Sequence, residues 1–166
     1  MSADVTGVGT ARSGCAAAGY GTDKAIFGYG VAGPAQSMTN LVSNVGVVAA
    51  DVAGVGTVRN TLAAAKYGTD KAIFGYGTGS YVSMTNLVSN LGVVSADVTG
   101  VGTGRTQLGG AEYGGDKALF GYGTSGSYSL LSMTNLVSTT GVVASDTTGV
   151  GTGRYGLSAA GYSTSA

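Results

Sequence analysis

Apolar positions along this chain come in short clusters divided by polar and glycine-rich punctuation, and the same clusters return in the same order. In residues 59–84, RNTLAAAKYGTDKAIFGYGTGSYVSM, the apolar runs LAAAKY and KAIFGY flank Gly68, Thr69 and Asp70, a turn-forming triplet. No window sustains an i, i+3, i+4, i+7 apolar stripe for three helical turns. Glycines also recur inside the apolar runs, where each would cost a helix about 1 kcal/mol. The unit starting at Arg59 is therefore expected to hold four strands: 62–67, 71–76, 83–88, and a fourth drawn from 92–103 with Val93 and Val94 inside. Period-two alternation in the third puts Met84, Asn86 and Val88 on one face and Thr85 and Leu87 on the other.

Close copies of this unit begin at Arg12 and Arg105, and a shortened copy begins at Arg154, so the arginines stand 47, 46 and 49 residues apart. Tyr20, Tyr67, Tyr113 and Tyr162 keep the same steps, which confines every insertion to the segment between GYG and SMTN. That segment is 31–36 in the first unit, 78–82 in the second and 124–131 in the third. A period of this length with four strands per unit matches a propeller-type blade. The chain divides into a lone segment 1–11, units at approximately 12–58, 59–104 and 105–153, and a partial unit 154–166, all within one repeat domain of 166 residues.

Composition narrows the function classes. Eight basic and eight acidic side chains cancel, and charged residues make up only 10% of the chain, so there is no electrostatic footprint for nucleic acid or an anionic membrane. No apolar run is long enough to span a bilayer, and membrane insertion is not expected. With no histidine and one cysteine, neither a histidine-based triad nor a zinc cluster can be assembled, and no cofactor is expected. Cys15 takes the place of Leu62, Leu108 and Leu157 and is expected to be a buried small hydrophobe.

The order of arginine, small-residue strand, turn, apolar strand ending in glycines, variable loop and alternating strand resembles the kelch-type blade. In that likeness Arg12, Arg59, Arg105 and Arg154 take the blade-arginine role. The glycine pair falls on Gly28 with Gly30, Gly75 with Gly77, and Gly121 with Gly123, split by Tyr29, Tyr76 and Tyr122. The chain has no tryptophan, and Asn40, Asn86 and Asn135 stand nearest the place of the family's outer tyrosine. The runs SNVGVV, SNLGVV, GVGTAR and DKAIFGYG are similar to glycine-rich kelch-like repeats of marine and cyanobacterial phage structural, tail-fibre-like proteins. The resemblance implies an all-β propeller, or a partial one of about three and a half blades completed by another copy, on a virion surface.

Four groups of residues are candidates for a role. Asp4, Asp51, Asp97 and Asp146 each precede an arginine by eight residues, and each arginine is expected to brace its own loop or the adjoining blade through backbone carbonyls or this aspartate. The pairs Asp23-Lys24, Asp70-Lys71 and Asp116-Lys117 are expected to point to opposite faces of a strand without an ion pair inside the pair. The glycine-flanked tyrosines are expected to fold over neighbouring glycine backbone. The variable loops, with Tyr81 and Ser80, Tyr128 and Ser127, and Gln36, combine aromatic and small polar chemistry suited to recognition. The expected function is a non-enzymatic structural or receptor-binding module, a homo-oligomer with a cell-surface glycan or protein as partner. The alternative is a self-assembling β-repeat scaffold with no dedicated ligand.

Overall fold

The computed structural model describes residues 6–126 and 129–161, so Asp4, Ser127, Tyr128 and Tyr162 lie outside the described residues. Three similar antiparallel sheets follow one another along the chain. The first is β1 (Ala16–Tyr20), β2 (Lys24–Gly28) and β3 (Thr39–Val42); the second is β4 (Ala63–Tyr67), β5 (Lys71–Gly75) and β6 (Thr85–Val88). The third is β7 (Gly109–Tyr113), β8 (Lys117–Gly121) and β11 (Thr134–Val137), and its longer insertion adds the hairpin β9 (Thr124–Ser125) and β10 (Ser129–Leu130).

The first two strands of each sheet form where the apolar runs predict them, and tight turns join them. In the second unit three residues, Gly68, Thr69 and Asp70, join Tyr67 to its partner Lys71, and the first two adopt positive φ, 57° at Gly68 and 66° at Thr69. The lysine after the turn bonds the aspartate before it: Nζ–Oδ1 is 3.5 Å for Lys24–Asp23, 3.2 Å for Lys71–Asp70 and 2.9 Å for Lys117–Asp116. The expectation of opposed side chains fails because each aspartate belongs to the turn and does not share the strand's alternation. These exposed pairs contribute little to stability.

The third strand forms as Thr85–Val88, within the predicted segment, and its register sets Asn86 opposite Phe74 and Thr85 opposite Gly75. Beyond it the fourth segment does not form a continuous strand. Val94 bridges to Val88 and Val98 to Thr85, with the two pairings out of step, so a bulge breaks the ladder. Val94 turns partly inward. Val93 is 64% exposed, which corrects its placement inside, and Val47 and Val142 repeat that exposure.

Period-two alternation gives each sheet two faces, and successive sheets stack one face on the other. Ala16, Tyr20 and Ile26 of the first sheet pack with Tyr29 and Leu62 against Ala72, Phe74 and Val88 of the second. Ala63, Ala65, Tyr67 and Ile73 of the second pack in the same way, with Tyr76 and Leu108, against Ala118, Phe120 and Val137 of the third. The small residues of β1, β4 and β7 let the inner strands approach: a Cβ placed on Gly110 would lie 2.6 Å from the Ala64 carbonyl oxygen. The result is an all-β stack of repeated small sheets in a propeller-like arrangement, and among the described residues it does not close into a ring.

Candidate functional site

The most elaborate polar structure in the chain is built once per unit around the repeated arginine. Thr10 and Arg12 precede β1, Asn40 lies on β3 and Asp51 in the bulged fourth segment. The Arg12 Nη2 donates to Asn40 Oδ1 at 2.5 Å, its Nε to the Tyr29 carbonyl at 2.8 Å, and its Nη1 to the Thr10 carbonyl at 3.2 Å. Asn40 Nδ2 donates to Asp51 Oδ1 at 2.9 Å, and Thr10 donates to Asp51 Oδ2 from both its backbone and its hydroxyl. Arg105, Asn135, Asp146 and Thr103 repeat the arrangement, as do Arg59, Asn86, Asp97 and Thr57 except that the buried Arg59 Nε finds no acceptor. Each cluster ties the segment entering a unit to the outer strands of that unit, closing the module on itself.

This geometry corrects the partner assigned to each arginine. Asp51 does not brace Arg59, eight residues later; it lies 3.6 Å from Arg12, and Asp97 lies 3.6 Å from Arg59. Asp146 likewise lies 3.9 Å from Arg105. A constant sequence offset therefore measured the linker between units, and the ion pair spans the unit instead. The backbone carbonyls do accept from the arginines, as with Tyr122 and Arg105 at 2.9 Å.

Burial sets the electrostatics. Arg59 and Arg105 are fully buried, and desolvation lowers their guanidinium pKa, although the neighbouring tyrosine and aspartate oppose the shift. Hydrogen bonds from Thr10 and Asn40 hold the Asp51 carboxyl below its ordinary value. For Asp97 and Asp146 partial burial pushes upward, but donors from Thr57 and Asn86, and from Thr103 and Asn135, together outweigh it. Buried charges of this kind persist where each is paired and hydrogen-bonded.

The other face of each guanidinium makes the joint to the preceding sheet. Arg59 lies 4.4 Å above the centre of the Tyr29 ring, Arg105 4.3 Å above Tyr76, and Arg154 4.0 Å above Tyr122. Tyr29 meets Phe74 of the next sheet edge-on at 5.1 Å, and Tyr76 meets Phe120 at 5.3 Å. Tyr29 and Tyr76 are fully buried in these joints. The space left by the missing side chain of Gly28 is filled by Phe74, since a Cβ there would lie 2.7 Å from its Cζ. Tyr29 and Tyr76 each donate a hydroxyl to a valine carbonyl of the following linker, at 3.3 Å to Val55 and 3.2 Å to Val101. Desolvation pushes both phenols up to about 12.

The recognition candidates are placed apart from this machinery. Tyr81 is 38% exposed and has φ of 51° in the second variable loop. Ser80 is exposed and its hydroxyl turns back to the Gly79 carbonyl. Gln36 is committed locally: its side chain donates to the Pro34 carbonyl at 3.1 Å, and its own carbonyl accepts from Arg59 N–H at 3.4 Å. Arg154 is exposed above Tyr122. Cys15 is exposed, against expectation, because among the described residues no sheet covers the face on which Leu62 and Leu108 are buried in later units.

Sequence reasoning passed over Thr10, Thr57 and Thr103 and the phenylalanines of the joint. The threonines carried a usable signal, standing two residues before each arginine. No protein-family model matches this chain, and no curated protein matches it either.

Proposed function

We propose that this chain is a structural repeat module whose function is the stack itself, a self-assembling β-repeat scaffold with no dedicated ligand. The observation that carries this reading is the complementarity of its two end faces. The first sheet presents Phe27, 41% exposed, where Phe74 and Phe120 are fully buried by a preceding sheet. The third sheet has Leu136, 42% exposed, and the buried Gly121 on the face that in earlier sheets receives the next phenylalanine. These are two halves of a joint already made twice within the chain, and a head-to-tail contact between copies extends it without new chemistry. A rigid shaft on a virion surface is the setting the resemblance implies for such a stack.

The test is particle mass against concentration by light scattering. Masses rising through multiples of 16.1 kDa are expected, and a single mass of 16.1 kDa at every concentration would refute self-assembly. A second reading, display of the variable loops to a cell-surface glycan or protein, is favoured by the exposed Tyr81 at positive φ beside the third-unit insertion. Replacing Tyr81 and Tyr128 with serine abolishes binding to a glycan or host-cell panel on that reading; retained binding rejects it.

A further inference from the structure

The face of the third sheet that would receive another copy is partly occupied by residues 148–161 of the same chain. Residues 146–162, DTTGVGTGRYGLSAAGY, repeat 4–20, DVTGVGTARSGCAAAGY, at 12 of 17 positions. In space the later copy takes the place that a following unit's linker and first strand take in the inner joints. Tyr122 donates its hydroxyl to the Val150 carbonyl at 3.3 Å, Gly123 N–H donates to the Arg154 carbonyl at 2.9 Å, and Gly156 N–H to the Gln107 carbonyl at 2.9 Å. Leu157 lies over Gly109, whose added Cβ would sit 3.3 Å from its Cδ1.

The two duplicates are held unequally. β1 is laddered to β2 over all five of its residues. Residues 154–161 form no strand and pair with none among the described residues, and all but Leu157 are exposed. The later duplicate is therefore the one that yields.

Resting on the scaffold reading, we propose that residues 148–161 are a built-in cap, an imitation of the first linker and strand that competes with the first sheet of a second copy for the Gly121–Tyr122 face. When a second copy displaces the cap, its Arg12 takes the Arg154 position over Tyr122, and its Phe27 seats on Gly121. Its Cys15 enters the socket that Leu62 and Leu108 fill in the inner joints, where they are 6% and 5% exposed. The cap thus sets the concentration at which the stack grows.

The full-length chain is compared with the double variant Arg154→Ala and Leu157→Ser, with Cys15→Leu, and with Phe27→Ala added to each. Sedimentation velocity over a concentration series is read beside the rate of Cys15 labelling by a maleimide. Loosening the cap should lower the half-assembly concentration by about tenfold, the equivalent of about 1.4 kcal/mol. It should also make Cys15 labelling slow as assembly proceeds. Cys15→Leu, at an exposed site, should lower the half-assembly concentration without touching the cap, and Phe27→Ala should reverse both effects. If the wild type assembles while both variants assemble at unchanged concentration, the cap is refuted and the scaffold stands. If the wild type stays monomeric while the loosened variant assembles, the cap stands and native self-assembly falls. If nothing assembles, or Cys15 labels equally fast in the assembled state, the proposed joint between copies is wrong.

Discussion

Truncating Phe27, Phe74 and Phe120 to alanine, one at a time, separates the strength of the inter-sheet joint from that of the sheet. The three residues occupy the same position on β2, β5 and β8, each opposite an asparagine of the neighbouring strand. Phe74 and Phe120 are fully buried, with a glycine shelf and a tyrosine edge from the preceding sheet closing over them. Removing either leaves an enclosed void, and Phe→Ala at such sites costs about 3–5 kcal/mol. Phe27 has the same neighbours within its own sheet but no preceding sheet, and it is 41% exposed. Its truncation opens onto solvent and should cost about 1 kcal/mol. Urea unfolding followed by far-ultraviolet circular dichroism, at concentrations below assembly, gives the three values. Phe74→Ala should also uncouple the first sheet from the other two and broaden or split the transition, since repeat stacks are stabilised by nearest-neighbour interfaces. Equal losses at Phe27 and Phe74 would show that the phenylalanine serves its own sheet and that the joint is elsewhere.

Gly28→Ala, which forces a Cβ to within 2.7 Å of Phe74, should lose about 1–3 kcal/mol, whereas Gly121→Ala meets only its own sheet, with Thr134 Cγ2 at 3.1 Å, and should lose less in the same urea assay. The phenols of Tyr29 and Tyr76 are raised from 10.0 to about 12, so their contribution is full below pH 10 and is lost as the pH rises from 10 towards 12. Thermal unfolding should fall steeply across that window, and Tyr29→Phe should flatten part of the fall. Arg59→Lys retains the charge but loses the planar fork shared among Asn86, the Thr57 carbonyl and the Tyr29 ring, and should cost about 2–4 kcal/mol by chemical denaturation. Full stability in that variant would mean that charge alone suffices at the cluster.

Much of the sheet architecture was legible because it is local. Alternation and turn residues place β4 and β5 to within one residue of their observed limits, and the faces of β6 follow from period two. The fourth segment was less legible, since a bulge destroys the alternation on which such a reading depends. The arginine cluster misled for a related reason. Asp51 lies a constant eight residues from Arg59, and any rigid linker produces a constant offset whether or not its ends touch. The true partner, Arg12, is brought close only when β3 folds back across β2, a tertiary event with no signature in nearest spacing. Cys15 failed as a buried residue because burial here depends on which sheet stands in front, and identical positions in successive units have different neighbours.

Each inner arginine grips its own unit with its nitrogen atoms and shelters the previous unit's tyrosine with its flat side. Because both duties fall on one residue at the start of the unit, the gene can gain or lose one whole period between equivalent arginines and still meet every partner in the new array. An excision that removes one member of the cluster without the others strands a buried cation or an unroofed ring, whereas the segment between GYG and SMTN absorbs small changes of length. The fold therefore favours heritable length changes in whole steps of 46 to 49 residues, and a lineage can alter the reach of this protein by unequal crossing-over without redesigning a single contact.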